Sequence, residues 1–271
     1  MINGNPNPPS RAPVSFITGY WSVTGNPKRT PDFYRSKFPE TVELIGHKET
    51  IALWENSLIR DLFNAPPTKF NQIAGRDLYV LRSELIPDEI LAAISTNVKR
   101  SAKRLFTARI KHTGREKHYT HLRKHLQKSN PAVYLDLVST WMAKIYAINF
   151  AIDFLNLKTD YLVGWADTGI SRIWNSQLSA PLSDYTFHGY PPDKISHLPG
   201  RMFYRGRRLG LSCGLMVASP SMWSWALEAF EEQALKSLGE RYLHDEETIL
   251  EEVRRQHPHN FHALTEFERS A

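Results

Sequence analysis

The sequence predicts an α/β protein: a mainly parallel β-sheet flanked by helices, with a basic helical insertion. Three observations carry that prediction. Short β-rich runs alternate with helix-spaced segments from residue 14 to about residue 82, the pattern left by strand–helix–strand crossovers in a parallel sheet. Segment 133–156 is apolar on nearly every side and carries only Asp136, Lys144 and Asp153 as charges, as a helix sunk in a core does. The 271 residues are 41% hydrophobic and 23% charged, which places the chain among ordinary globular proteins and suits one continuous α/β core.

Taken in order, residues 1–12 hold three Pro and three Asn and read as a disordered leader, without the charged-then-apolar layout of a secretion signal. Residues 13–271 read as one domain. Val14–Tyr20 is a β-rich run that opens into a polar stretch, a first strand with a loop at its carboxyl end. Thr30 before Pro31 marks a helix start, and Pro39 is expected to limit that helix. Residues 49–55 read as a strand, 56–63 as a short helix and 77–82 as a strand. From about 87 to 130 the alternation stops; the spacing of Ile90, Leu91, Ile94 and Val98, then a basic stretch broken at Gly114, predicts a helical insertion. After the long helix, 161–167 is a hydrophobic strand, and further strands are expected at 184–188, 201–204 and 209–218. Ser219 and Pro220 supply a cap and a first helical residue. A last helix begins near Asp245 and ends before Pro258.

The formal charge of +6 is local. Residues 98–128 hold eleven Lys/Arg against one acid, Glu116, while the rest of the chain is net negative. Such a segment suits a polyanionic surface. Leu105, Phe106, Ile110, Tyr119, Leu122 and Leu126, interleaved with the cations, would let it rest on anionic lipid headgroups; a solvated basic hairpin explains the same residues. Cys213, the single cysteine, excludes an intrachain disulfide and a Cys-rich metal site, and fits a reducing cytosol. No stretch approaches the roughly 18 apolar residues of a membrane-crossing helix. The expected location is cytoplasmic, at most peripheral to the inner membrane. Glycine-rich dinucleotide, Walker, nucleophile-elbow and zincin motifs are all missing from the sequence, which sets those enzyme classes aside.

Several residues have types and positions suited to chemistry. Trp165-Ala-Asp-Thr-Gly169 places Asp167 where a buried strand runs out into a turn. In open α/β sheets ligands collect at such ends, and a carboxylate there would hold a divalent cation against a diphosphate; an Asp starting a turn through backbone amides is the plainer alternative. His244-Asp-Glu-Glu-Thr-Ile-Leu250 starts a helix with three acids. The helix dipole favours them there, and Asp245 or Glu246 would also serve as a general base. Lys144, inside Trp141-Met-Ala-Lys-Ile-Tyr146, must snorkel to solvent, pair with Asp136 or Asp153, or meet a phosphate. His257, His259 and His262 would offer an imidazole to a metal at Asp167, or be polar surface. Arg205, Arg207 and Arg208 would contact phosphate or form a solvated hairpin.

Together, Phe16-Ile-Thr-Gly-Tyr-Trp21, the Lys144 helix, Trp165-Ala-Asp-Thr-Gly-Ile-Ser-Arg172, the Cys213-Gly214 strand and the Asp245-Glu246 helix resemble the HtrL/YibB-type family of bacterial glycosyltransferases over roughly residues 14–264. The resemblance implies a GT-A-like, Rossmann-type fold and transfer of a sugar from a nucleotide-sugar donor, for instance a UDP-sugar. The acceptor it implies is a hydroxyl of a glycan or lipid-linked saccharide in bacterial surface polysaccharide synthesis. It assigns Thr18 and Tyr20 to the nucleotide pocket, Lys144 to the phosphates, and Asp167 to the metal or sugar nucleotide, with Gly169 and Arg172 beside it. Cys213 and Gly214 fall on the acceptor side, and Asp245 with Glu246 are the acid/base candidates. Mn²⁺ or Mg²⁺ is the expected cofactor. Ala143 stands where the family tends to have Ser, and Cys213 where it has Gly. Two rival readings compete: a nucleic-acid-binding protein, supported by the charge distribution alone, and an inactive GT-A-like domain that only binds carbohydrate.

Overall fold

The computed structural model describes residues 14–26, 30–45, 50–64, 76–107, 131–157, 161–172, 191–200, 202–204, 207–240 and 243–264, for 104–107 and 172 without their side chains. Val14–Tyr20 (β1) is followed by Pro31–Ile45 (α1), Thr50–Trp54 (β2), Ser57–Asn64 (α2) and Arg76–Tyr79 (β3). Arg82–Leu85 (α3), Asp88–Thr107 (α4) and Pro131–Leu155 (α5) lead to Leu162–Ala166 (β4), and then Ile195–Pro199 (β5). A two-residue pair, Phe203–Tyr204 (β6) with Arg207–Arg208 (β7), precedes Leu211–Ala218 (β8). Pro220–Gly239 (α6), Glu246–Gln256 (α7) and Phe261–Ala263 (β9) complete the order.

Seven strands form one sheet in the order β3-β2-β1-β4-β8-β5-β9. β3, β2, β1 and β4 run parallel, β8 runs against both β4 and β5, and β9 returns to the parallel sense beside β5. The fold is therefore α/β with a mostly parallel sheet, as the alternation predicts. The chain winds outward from β1 to β3, then crosses back to lay β4 on the other side of β1. That reversal makes the carboxyl ends of β1 and β4 the switch point of the sheet, where a crevice opens between diverging connections.

The two faces have separate cores. On one, Phe16, Tyr20, Ala52 and Trp54 pack under Phe38, Val42 and Ile45 of α1. On the other, Ile17, Trp21, Leu53 and Trp165 share a core with Ile90, Ile94 and Val98 of α4, Val138 and Met142 of α5, and Trp223 and Phe230 of α6. The first turns of the predicted insertion thus belong to the main core, because the apolar stripe of α4 faces α5 and α6. Arg100 donates to the carbonyls of Gly239 and Glu240 at 2.6 and 2.7 Å, so this basic residue closes the end of α6, as cations near a helix C-terminus do. The remainder of the basic stretch, 108–130, lies outside the described residues, as do the leader and the strand expected at 184–188.

Two local outcomes differ from the sequence reading and one agrees with it. Pro39 does not limit α1, which runs on to Ile45 with Thr41 and Val42 buried beyond it; burial along the sheet outweighs the lost hydrogen bond, a cost of about 3 kcal/mol. β5 and β9 were not expected; Ser196 and His197 are buried, and a short polar strand at the far side of a sheet leaves no apolar alternation to read. Ser219 does cap α6, its Oγ accepting from the Met222 amide at 3.4 Å. No helix among the described residues is long and apolar enough to cross a membrane.

Candidate functional site

A cleft opens at the switch point. Gly19, Tyr20 and Trp21 at the end of β1 form one side, with Val23, Asn26 and Tyr34 beyond them. Trp165, Asp167, Thr168 and Gly169 at the end of β4 form another, and Leu137, Thr140, Trp141 and Lys144 of α5 close it. Its enclosed space is about 80 Å³, and it opens to solvent.

Its chemical centre is an ion cluster assembled from three distant segments. Lys144 Nζ lies 2.9 Å from Asp167 Oδ1 and 2.9 Å from Glu246 Oε1. The lysine and Glu246 side chains are 8% and 6% exposed, whereas Asp167, at 25%, reaches the cleft. Burial alone would lower the pKa of Lys144, but the carboxylates of Asp167 and Glu246 outweigh it and hold the pKa above the ordinary lysine range. Lys144 is therefore a permanent cation at neutral pH. Asp136, one partner the sequence offered for it, instead binds Arg82 at 3.0 Å.

Asp167 is held on every side but one. Its amide donates to the Gly214 carbonyl at 2.9 Å, extending the β4–β8 ladder. Its Oδ1 accepts from the Trp165 indole at 2.9 Å as well as from Lys144. Thr168 Oγ1 donates to the Gly19 carbonyl at 2.6 Å and the Thr168 carbonyl accepts from Thr41 Oγ1 at 2.9 Å, which ties the ends of β1 and β4 together. Asp167 Oδ2 has no partner among the described residues and is the carboxylate oxygen left for a ligand.

The other predicted site residues separate into wall and support. Tyr20, Lys144, Asp167 and Gly169 line the cleft. Burial, with Tyr34 nearby, raises the Tyr20 hydroxyl to about 12, so it remains a donor at neutral pH. Thr18 is fully buried and absent from the described wall; strand alternation puts it on the α1 face with Phe16, and its Oγ1 finds no partner among the described residues. Cys213 and Gly214 also lie behind the wall. The Cys213 amide donates to Glu247 Oε1 at 3.4 Å, so this stretch braces Asp167 and α7. Asp245, 1% exposed, caps α7: its Oδ1 accepts from the Thr248 amide and its amide donates to Thr248 Oγ1, both at 3.0 Å. That is the helix-start role, and Asp245 is not part of the described cleft wall. Glu246 faces Lys144 from behind. The Arg172 side chain lies outside the described residues.

The histidines do not converge on Asp167. His262 sits on β9, three strands from β4, on the order of 14 Å away at the usual strand spacing. Among the described residues no group of three or more His, Cys, Asp or Glu is arranged to hold a metal ion. Arg207 and Arg208 form the exposed hairpin strand β7. Sequence reasoning missed the roles of Trp165, Thr168, Thr140 and Trp141. Trp165 alone had a readable signal, since two residues apart on a strand it shares a face with Asp167.

No family model matches this chain, and no curated protein matches it. Among solved structures it is similar to the crystal structure of mouse xyloside xylosyltransferase 1 in its apo form, with a TM-score of 0.42 and 10% identity over 93% of this chain and 85% of that one.

Proposed function

We propose that the cleft binds the diphosphate of an activated sugar and that the protein is a GT-A-like glycosyltransferase of the HtrL/YibB type, transferring the sugar to a hydroxyl of a glycan or lipid-linked saccharide. The observation that carries this reading is the buried Lys144 ammonium, set at the crevice of the sheet's switch point and flanked by Asp167. In glycosyl transfer the bond between the anomeric carbon and the diphosphate oxygen breaks as the bond to the acceptor oxygen forms. Positive charge develops on the sugar while the departing diphosphate takes the electron pair. An ammonium beside the departing diphosphate favours that charge separation more than it favours the intact donor. The Tyr20 hydroxyl is a further donor, and the aromatic walls of Tyr34 and Trp141 suit a flat base or a sugar face.

A divalent cation in this cleft would take one protein ligand from the described residues. Lys144 with its two carboxylates leaves one negative charge uncompensated, so a diphosphate calls for further positive charge. Asp167 Oδ2 supplies a single protein ligand, and Mg²⁺ typically draws its remaining ligands from phosphate and water. Mg²⁺ or Mn²⁺ held there would neutralise the leaving diphosphate. The basic residues 98–128, of which Lys99 and Lys103 are exposed, extend the proposal to an anionic membrane surface at the cytoplasmic face.

The test is a thermal-shift panel of nucleoside diphosphates and their sugars, each with and without Mg²⁺ or Mn²⁺. Binding to the folded state alone raises stability by about 2.7 kcal/mol at a hundredfold excess over Kd. At least one nucleotide is expected to stabilise the protein, and Asp167→Ala to abolish the effect. A chain indifferent to every nucleotide, with or without metal, would overturn the reading. Salt-sensitive binding of nucleic acid that ignores Asp167→Ala would favour the rival reading.

A further inference from the structure

We infer that Trp165 is a positioning residue for Asp167: its indole N–H holds Oδ1 so that Oδ2 alone is presented to the ligand. The inference rests on reading the cleft as a diphosphate site. A free carboxylate rotates about its last bond and offers either oxygen. Here Oδ1 accepts two bonds at 2.9 Å, from the Trp165 indole and from Lys144. Lys144 is shared with Glu246 and would turn toward any phosphate that entered. The indole has no such alternative. It is 2% exposed and its N–H has one acceptor, so it keeps the carboxylate in register when the ammonium is drawn away.

Its placement depends on a missing side chain. A Cβ on Gly19 would lie 3.3 Å from Trp165 Cη2 and 2.8 Å from the ring of Trp21. Gly19 therefore admits both indoles over the end of β1. Trp21 donates to the Val80 carbonyl at 3.0 Å, which fixes the neighbouring ring against which this arrangement is built. Groups that orient a metal-binding carboxylate typically change metal affinity by about 10- to 100-fold when removed.

Trp165→Phe keeps an aromatic ring and deletes the donor. With UDP or GDP present, whichever stabilises the wild type more, Mn²⁺ is titrated into wild type, Trp165→Phe, Asp167→Asn and the double variant by calorimetry. Trp165→Phe is expected to weaken Mn²⁺ about tenfold and to cost nothing further in the Asp167→Asn background, since its effect passes through that carboxylate. An affinity equal to wild type, or an equal loss in both backgrounds, would overturn the inference while leaving the diphosphate reading intact. A wild type that binds a nucleoside diphosphate but takes up no Mn²⁺ with it would overturn the inference alone; one that binds none of the nucleoside diphosphates, with or without metal, would overturn the diphosphate reading, and the inference with it. An indole ¹⁵N–H spectrum gives a second measurement that does not need the Phe variant to fold. The Trp165 resonance is expected to move on Asp167→Asn and on addition of UDP with Mg²⁺; a resonance fixed under both conditions would refute the role.

Discussion

Replacing Lys144 with Met takes one charge from between two carboxylates and leaves an unbranched side chain of similar length on α5. At 2.9 Å each contact carries a gross attraction of about 6 kcal/mol at an effective dielectric near 20, most of which the burial of the ions offsets. Removing one member strands the others. Asp167, 25% exposed, can turn to water, whereas Glu246, 6% exposed, cannot. The expected loss is about 3–5 kcal/mol, a fall in Tm of about 6–20 °C for a domain of this size, read by urea and thermal denaturation. Adding Glu246→Gln removes the stranded charge and should recover about 1–3 kcal/mol. The pH dependence has a definite sign. With the folded-state pKa of Lys144 raised by its carboxylates, its stabilisation is fully present below the unfolded value of about 10.4 and is lost as pH rises through the folded pKa; Lys144→Met should lack that alkaline loss. A single variant as stable as wild type, or a double variant no better than the single, would refute the view that the cluster is a coupled buried ion group.

Thr18→Val should leave nucleotide-induced stabilisation unchanged and raise stability by about 1 kcal/mol, because it deletes a buried hydroxyl that has no partner among the described residues; reduced nucleotide binding would return Thr18 to the pocket. Gly19→Ala puts a methyl 2.8 Å from the Trp21 ring, whose indole is tied to Val80, and should cost about 1–3 kcal/mol with a change in tryptophan fluorescence. Burial lowers the pKa of His197, so its neutral form is the native one. The stability linked to it is present above the unfolded value of about 6.5 and is lost as pH falls below it, and His197→Gln should flatten the acid slope of chemical denaturation.

Local signals account for what could be read without coordinates. The strand–helix alternation up to β3 needs only periodicity and turn residues, and it also forecasts parallel pairing, since short crossovers through helices leave little choice. The Ser219 and Asp245 caps depend on bonds spanning three residues. Asp167 was legible as a strand-end carboxylate because a buried run of apolar residues stops there. Its functional and structural meanings could not be separated, since both place an Asp at the start of a turn.

Pairings between remote segments were decided by the tertiary structure alone. A buried lysine must find a counter-charge, but sequence order offered Asp136 and Asp153 on the same helix, more than two turns away and about 12–14 Å along its axis. The partners taken come from the end of β4 and from a helix 102 residues further on, brought together by the crossover that places β4 beside β1. Thr18 and Tyr20 look equivalent in a strand pattern. Both are buried on the α1 side of the sheet, but Tyr20 stands at the end of the strand and so also contributes to the cleft wall. Periodicity is a property of neighbouring residues and fixes elements. A site joins residues whose distance along the chain has no bearing on their distance in space, and only the closed sheet with its helices sets that.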